Sequence, residues 1–365
     1  MQAGLKMRLP KRTCLVFLAV TARVYGASGT EGAAFLDIPT GAGPAAMGSA
    51  YAALANDAYA PVYNPAGLGF LPATQAAAQH LAYLDSIHYE FLSFVHPVAA
   101  GKALGASAQY LGSGDMAGTD PSGASLGDYS SRYGAYTLSY GQQVTKKLSL
   151  GLSAKWINAE LDDTSANAYA ADVGGLYQAG SKLQFAAKIA NAGSQLKFAD
   201  QGDSLPLAFH AAAACQPRRR WNLALEALYG NAGLAGVRWG SEWKPLEMLA
   251  IRAGYRTETL DNLSALAGVS AGLGLNVWGQ ELAYAWLPYG DLGDTHYVSL
   301  VMRLGHGPDA QKNLIQYQNI RTHSAADKDG PRPGGEIAPE EQQWMELLNG
   351  GERDAFGRIN RPESR

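Results

Sequence analysis

The stretch Leu148-Ser-Leu-Gly-Leu-Ser-Ala-Lys-Trp156 alternates bulky apolar residues with small or polar ones. Successive side chains of an extended strand point to opposite faces, so the leucines and Trp156 share one face of a strand and the small and polar residues share the other. The same period of two occurs in Trp221-Asn-Leu-Ala-Leu-Glu-Ala227 and in Glu281-Leu-Ala-Tyr-Ala-Trp286. The pattern predicts an all-β protein with two-sided strands.

About fourteen such segments, each about 10 to 14 residues long, follow one another between residues 73 and 305. Their predicted spans are 73–85, 88–98, 103–113, 132–143, 148–160, 166–179, 183–193, 206–216, 221–230, 233–244, 247–257, 263–274, 278–288 and 294–305. A tilted strand of this length crosses a bilayer, and an even strand number is typical of single-chain bacterial barrels. We therefore predict a transmembrane antiparallel β-barrel over residues 73–305. A soluble sandwich or propeller is the alternative, although its strands are usually shorter.

The connections between these segments differ in length. The connections after even-numbered segments are tight, whereas the two longest, 114–131 and 194–205, both follow odd-numbered segments and are rich in Gly, Ser and Asp. Outer-membrane barrels have short periplasmic turns and longer external loops. We therefore expect the chain in the outer membrane of a Gram-negative-type envelope, with both termini in the periplasm.

The N-terminus has the features of an export signal. Four basic residues precede a short apolar run over 14–22, and small residues follow it. We predict a signal peptide over residues 1–26, with cleavage after Gly26 or Ala22. The alternative is a first transmembrane helix, but the run is well short of the roughly 20 apolar residues that such a helix needs.

The last part of the chain differs from the predicted barrel. Residues 306–365 are polar, with a Pro- and Gly-rich break and a possible short helix over 339–348. We expect a flexible periplasmic tail. Its Trp344 either docks on a partner or on the barrel rim, or belongs to an inert linker.

Charge and cysteine content exclude some classes of function. The formal net charge of −3 gives no basic field, so we expect no nucleic-acid partner. Cys14 falls in the predicted signal peptide, which leaves Cys215 without an intramolecular disulfide partner. After the signal, no apolar stretch is long enough for a helical membrane span, so the chain can enter a membrane only as a closed barrel.

A segment rich in Gly and Ala, GAGPAAMGSAYAALANDAYAPVYNPAGL over 41–68, precedes the first predicted strand. Its first six residues spell G-x-G-x-x-A, but a dinucleotide site also needs a parallel βαβ unit, and strand follows strand here without crossover helices. We therefore expect no nucleotide or other cofactor. The small side chains suit a backbone packed against the inner wall of a barrel, and we predict a plug segment over 27–72. An ordinary Ala-rich helix and loop on the surface is the alternative.

Ten positions of this segment carry a family resemblance: Gly41, Gly43, Met47, Gly48, Asn56, Asp57, Asn64, Pro65, Ala66 and Gly67. As an ordered set they resemble the N-terminal signature of the PorV/PorQ family, within the FadL-like outer-membrane barrels. The resemblance implies a fourteen-stranded barrel whose N-terminal segment enters or plugs the lumen. The sequence departs from the family at Gly43, where a long basic side chain is frequent, at Ser49, which replaces a second Gly, and in its long tail.

Five charged residues fall on the small and polar faces of the predicted strands: Lys155, Lys188, Glu226, Glu281 and Arg303. Strand alternation places them toward the lumen. They either pair across the lumen, line a polar path, or simply hydrate the inner wall.

The sequence contains no convincing catalytic or metal-binding pattern. The histidines show no recognisable metal-ligand spacing. Two G-x-S-x-G matches centre on Ser125 and Ser270, but a nucleophile elbow needs a strand, a sharp turn and a helix, and these serines fall in a predicted loop and in the middle of a predicted strand. We expect neither enzymatic activity nor a metal site.

The resemblance implies a PorV-type component for protein export or surface attachment, similar to type IX secretion, with secretion-system proteins or exported cargo as partners. The alternative within the same superfamily is a FadL-like channel for long-chain fatty acids or other hydrophobic small molecules, which should contain an apolar internal pocket. A purely structural outer-membrane protein is the third possibility. Each of the three implies contact with outer-membrane lipid.

Overall fold

The computed structural model describes residues 31–83, 87–198, 201–231, 235–258 and 265–304, together with two short strands near the C-terminus. The chain divides into two units, Met1–Thr322 and His323–Arg365. The predicted signal peptide and the possible helix at 339–348 lie outside the described residues. Within the second unit, Glu352–Arg353 pairs antiparallel with Ile359–Asn360.

Fourteen strands close into an antiparallel barrel, which confirms the predicted fold class. The barrel strands are β1 (Thr74–Ala82), β2 (His88–Ala99), β3 (Lys102–Thr119), β4 (Ser125–Gln143), β5 (Leu148–Leu161), β6 (Thr164–Gly180), β7 (Leu183–Gly193), β10 (Ala208–Arg218), β11 (Trp221–Gly230), β12 (Ala235–Trp243), β13 (Leu249–Arg256), β14 (Val269–Val277), β15 (Gln280–Pro288) and β16 (Asp294–Leu304). Each strand pairs with its neighbour along the chain, except that β7 pairs with β10, and β1 pairs with β16 to close the ring. A separate hairpin of β8 (Leu196–Phe198) and β9 (Gln201–Asp203) lies between β7 and β10.

The period-two pattern points its apolar face outward. In β5, Leu152 and Trp156 are 54% and 45% exposed. Ser153 and Lys155, which lie between them in the sequence, are only 1% and 6% exposed. Strands β2, β6, β13 and β16 show the same alternation of exposed and buried residues over most of their length. An apolar outer belt around a polar inner wall is the arrangement of a barrel that faces lipid. Among the described residues, no helix is long and apolar enough to cross a membrane.

The prediction of long loops at 114–131 and 194–205 is wrong in part, because both ranges contain paired strands. Residues 114–131 continue β3 and β4 as a ribbon beyond the barrel, and its turn is held by the Asp120 carboxylate, which accepts the Ser122 and Ala124 N–H groups at 2.8 Å. Residues 194–205 contain the β8–β9 hairpin. A composition rich in Gly, Ser and Asp does not prevent pairing where the strands already run side by side, because each added pair continues an existing ladder. Conversely, β14 begins later than predicted, after a 3₁₀ helix at Ala265–Gly268.

The two ends of the barrel differ. At one end, which we call the short-turn end, strands are joined by short connections such as 100–101, 181–182 and 278–279. The opposite, long-loop end carries the β3–β4 turn and the connection 194–207. The location of either end relative to the periplasm stays a prediction.

Most of the segment from residue 31 to residue 72 lies inside the barrel. Residues 39–69 are all buried except for Asn56 and Val62, which are half-buried. The segment contains two short α-helices, α1 (Ala42–Ala46) and α2 (Ala60–Tyr63), and two 3₁₀ helices, Ala34–Asp37 and Pro65–Phe70. Near its start, the Gly32 N–H donates to the Ser204 carbonyl at the long-loop end at 2.9 Å, and at its end the chain enters β1. We call residues 31–72 the lumen segment.

Glycines of the inner wall bring the backbone of the lumen segment close to the strands. Gly141, Gly151 and Gly174 are direct cross-strand neighbours on β4, β5 and β6. A Cβ atom on Gly151 would lie 2.2 Å from the carbonyl carbon of Pro65. On β13, a Cβ atom on Gly254 would lie 2.1 Å from the Gly48 nitrogen. The wall and the lumen segment therefore approach backbone to backbone at two places.

Gly48 combines this close approach to the wall with a left-handed backbone conformation. Its φ is +61°, and an added Cβ would lie 2.8 Å from Trp239 O, Tyr255 N and Tyr255 O. We expect Gly48→Ala to lower the free energy of unfolding by about 1–3 kcal/mol, because neither the wall backbone nor the φ angle can adjust without strain. Thermal unfolding of the folded barrel in detergent measures this change.

The matched control is Gly180→Ala, because a Cβ atom at Gly180 would have no heavy atom within 4 Å. Its unfolding temperature should equal that of the unsubstituted protein. Equal unfolding temperatures for the two variants would show that the approach at Gly48 is not tight.

Candidate functional site in the barrel lumen

The structure places all five predicted lumen charges on the inner wall. Lys155, Lys188, Glu226 and Glu281 are 6%, 7%, 1% and 1% exposed, and Arg303 is half-buried. They do not form a single group. They belong to three separate clusters of ion pairs, each of which also contains residues that the sequence did not single out.

The first cluster joins β5, β6 and β7 around Asp172. Its carboxylate lies 2.8 Å from Lys155 Nζ and 3.2 Å from Lys188 Nζ, and it accepts the Asn191 N–H at 2.8 Å. Asp172 lies at the register shift between β6 and β7. There its side-chain carboxylate, and not a backbone carbonyl of the ladder, accepts the Asn191 N–H. Lys188 also donates to the Val62 carbonyl at 2.5 Å, so the cluster holds the lumen segment as well as the wall.

The second cluster holds the middle of the lumen segment through Glu226. Glu226 Oε2 accepts the N–H groups of Tyr51 and Ala52 at 3.1 and 3.0 Å. Its other oxygen lies 2.8 Å from His210 Nδ1 and 3.9 Å from the Arg238 guanidinium. A buried carboxylate that accepts two consecutive backbone N–H groups makes charge-assisted hydrogen bonds, which are stronger than neutral ones.

The third cluster is centred on Arg252 near the short-turn end. Arg252 Nη2 lies 2.7 Å from Glu242 and 2.7 Å from Glu281, and Lys244 and Arg303 lie 3.0 and 3.9 Å from these two carboxylates. A Cβ atom added to Gly43 would lie 3.2 Å from Arg252 Nη1. The wall therefore brings a guanidinium close to Gly43, where the family that the segment resembles frequently has a long basic side chain.

The signature residues of the lumen segment make contacts both within the segment and with the barrel wall. The Asn64 side chain donates to the Ala52 and Gly175 carbonyls at 3.0 and 3.3 Å and accepts the Ala66 N–H at 3.1 Å, before Pro65 opens the second 3₁₀ helix. Gly67 lies so close to Ala55 that no side chain fits there.

Two further signature positions also have specific partners. Asp57 accepts the Tyr51 hydroxyl at 2.6 Å and the Tyr59 N–H at 2.9 Å. Gly41 has φ +83° and donates its N–H to Gln79 on β1. Met47 is buried, and Asn56 is half-buried.

Sequence reasoning missed two serines that dock the start of the segment. Ser270 Oγ accepts the Gly48 N–H and donates to the Ala46 carbonyl, each at 3.0 Å, and Ser299 Oγ accepts the Ala42 N–H at 3.1 Å. The G-x-S-x-G match at Ser270 thus marks a docking contact in a strand rather than a nucleophile elbow. Strand parity places both serines inward, but only the folded barrel shows what they meet.

A cavity of about 60 Å³ lies between the first two clusters and the lumen segment. The ionisable side chains that line it are Asp37, Lys155, Lys188, His210, Glu226 and Arg238. This volume holds about four water molecules, whereas ligand pockets usually enclose about 300 Å³ or more. The cavity is small and polar, so it is not the apolar internal pocket that we expected of a hydrophobic-substrate channel. No group of metal-ligating side chains occurs in the part of the chain that the structure describes.

Comparison with known proteins supports the fold class. A family model described as Uncharacterised protein family (UPF0164) matches residues 20–185. The Pseudomonas putida toluene transporter TodX is 14% identical, with 73% of this chain and 99% of TodX covered and a TM-score of 0.53. The CymD monoaromatic hydrocarbon channel is also 14% identical, with 74% and 98% covered and a TM-score of 0.53.

A Pseudomonas aeruginosa FadL homologue is 13% identical, with 72% and 98% covered and a TM-score of 0.50. No curated protein sequence matches the chain. At these identities the likeness shows the fold alone, which is that of FadL-like outer-membrane barrels. The closer relationship to PorV/PorQ stays a resemblance of motifs.

Replacement of the Glu226 carboxylate should loosen the lumen segment. We expect Glu226→Gln to lower the free energy of unfolding by about 1–3 kcal/mol, because the charge-assisted bonds to Tyr51 and Ala52 are lost. Hydrogen exchange of these two backbone amides should become faster while exchange in the barrel strands stays slow.

The control is Glu247→Gln on the exterior. The Glu247 side chain is 74% exposed, and its pairing with Arg220 at 3.0 Å should contribute little. If both variants leave the exchange of Tyr51 and Ala52 unchanged, Glu226 does not hold the segment.

The lumen segment should also respond to pH through Asp57. Burial raises the pKa of the Asp57 carboxyl to about 6 from 3.8. A raised pKa means that the folded form binds the proton more tightly, so the Asp57 contribution to the free energy of unfolding is highest below about pH 4 and falls by about 2–3 kcal/mol as the pH rises to about 6. The difference in unfolding free energy between the unsubstituted protein and Asp57→Asn should therefore change by this amount across the range. An identical slope in the variant would assign the pH dependence to other groups.

Proposed function

We propose that this protein is a gated channel that passes hydrophobic or amphipathic small molecules across the outer membrane. The observation that carries the proposal is a lumen filled by a folded N-terminal segment, in a barrel with the fold of FadL-like channels. TodX is a toluene transporter, and CymD is a monoaromatic hydrocarbon channel. The likeness to these two proteins supports a channel for hydrophobic compounds as the function of this chain.

The present conformation is closed, and a solute can pass only when the lumen segment moves. The cavity of about 60 Å³ is too small for a fatty acid or an aromatic hydrocarbon. The hydrogen bonds from the segment to Ser270 and Ser299 can be replaced by water at a modest net cost of about 1 kcal/mol each, and those to the Glu226 carboxylate at about 1.5–3 kcal/mol each. This kind of docking is compatible with partial release of the segment while the barrel stays intact.

The protein-export interpretation receives no support from the comparisons. Its basis remains the resemblance of the ten signature positions, and the contacts of these residues are mostly within the lumen segment or with the wall. A role for them in recognising exported cargo would require their exposure. We therefore place the channel first.

The channel is tested by uptake in a Gram-negative host that lacks its own fatty-acid channel. Expression of this protein should raise uptake of radiolabelled oleate or toluene above that of the empty vector. Purified protein in liposomes should pass very little arabinose, because the lumen is closed, and Glu226→Gln should increase this leak. Uptake equal to the empty vector for both compounds would contradict the proposal. Surface cargo trapped in the periplasm after deletion of the native gene would instead favour export.

A further inference from the structure

The outer wall over β1 to β5 contains a groove whose floor consists of alanines. Cross-strand pairing forms one outward row of Ala78, Leu92, Ala108, Tyr136 and Trp156. Small residues on β1 and β3 thus alternate with large residues on β2 and β4. Because alanine side chains are short, the surface is depressed along β1 and β3 and raised along the strands between them.

A second outward row reinforces the same relief. It consists of Ala76, Phe94, Ala106, Leu138 and Ala154. Together the two rows line an open depression of about 750 Å³.

The raised edges of the groove are apolar and open to the exterior. Leu92, Leu138 and Tyr169 are 61%, 70% and 67% exposed. The rings of Tyr136 and Trp156 stack with their centroids 5.2 Å apart and form one wall. No charged side chain points outward in either row. The groove is therefore suited to an aliphatic chain that lies against the alanines of both rows.

The position of the groove within the outer belt indicates what fills it. The groove is continuous with the apolar face that the barrel presents to lipid, and polar side chains occur only beyond it. On one side His80 and Glu90 pair at 2.6 Å, and on the other Thr74 bonds His96 at 2.8 Å. A depression at bilayer depth cannot stay empty, since the neighbouring lipid chains are the surrounding solvent.

The inner side of the same wall shows that the groove ends at the strands. Between the two outward rows, Ser93, Ser107 and Thr137 form an inward row that leads to Lys155. Within the described part of the chain, these three hydroxyls have no hydrogen-bond partner. The ladders from β2 to β4 are continuous through these residues. Because the sheet is continuous and its inner face is polar here, an apolar chain in the groove stays on the outer face of the barrel.

We propose that this groove, defined by Ala76, Ala78, Ala106, Ala108 and Ala154, binds an acyl chain of a membrane lipid in a fixed position. The proposal rests on the membrane location of the barrel but not on its transport of any solute. It predicts a lipid chain that contacts Trp156 more persistently than the chains around the rest of the belt.

Quenching of tryptophan fluorescence by brominated lipid chains tests the proposal. Two single-tryptophan proteins are compared, one with Trp156 and one with Trp239, which faces outward on β12 and is 43% exposed. Each is reconstituted into phosphatidylcholine vesicles with increasing fractions of a lipid that is dibrominated on one acyl chain. Lipids brominated at several chain positions correct for the depth of each indole. Heat-modifiable migration on gels verifies that each variant is folded.

We expect Trp156 to be quenched at lower brominated fractions than Trp239. The double variant Ala106→Leu/Ala108→Leu fills the groove and should remove this difference. Ala211→Leu/Ala213→Leu on the outer face of β10 adds the same volume elsewhere and should leave the difference intact. These results would hold whether or not the protein takes up oleate or toluene, so failure of the channel proposal is a separate outcome.

Two results would overturn the lipid site. One is equal quenching of Trp156 and Trp239, or a difference that Ala106→Leu/Ala108→Leu does not change. The other is protection of Trp156 from the brominated lipid together with a cross-linked dimer through β1 to β5, which would make a second copy of this chain the occupant.

Discussion

The close approach of the lumen segment to the barrel wall is the contact on which the rest of the interior depends. At Gly151 and Gly254 the wall has no side chain, and the backbone around Pro65 and Gly48 occupies the space that a Cβ atom would need. A backbone this close brings its own N–H and C=O groups against the strands, and each needs a partner once water is excluded. Ser149, Ser270 and Glu226 supply those partners. Small wall residues and inward hydroxyls or carboxylates are therefore two parts of one arrangement.

The same arrangement explains why so many charges are buried. Lys155 and Lys188 share Asp172, and Arg252 joins Glu242 to Glu281, so each charge has an opposite charge within hydrogen-bonding distance. Breaking one member of such a pair leaves an uncompensated charge, which is costly in a closed lumen. The clusters consequently fix the relative positions of neighbouring strands, and through Lys188 and Glu226 they also hold the lumen segment. In the channel that we propose, these contacts would keep the lumen closed until a ligand supplies replacement contacts.

The exterior follows a different rule, since its exposed apolar side chains form the kind of face that a membrane barrel presents to lipid. Many leucine, tyrosine and tryptophan side chains are exposed on it, and alanines on β1 and β3 form the floor of the groove in which we propose a lipid acyl chain. On the outside, side-chain size alone sets the relief of the surface, because lipid chains adapt to any apolar shape. On the inside, size matters together with hydrogen bonding, because the lumen segment cannot adapt in the same way.

The alternation in segments such as Leu148 to Trp156 was sufficient to predict an antiparallel barrel and most of its strands, since period two is a local property that a strand imposes on its own sequence. It also placed Lys155, Lys188, Glu226, Glu281 and Arg303 on the inner wall. It failed at residues 114–131, where pairing with an adjacent strand overrode a loop-like composition. The partners of the charges, the docking serines and the alanine floor of the groove were decided only by the tertiary structure. Each depends on the register between strands that are distant in sequence, and no local pattern specifies that register.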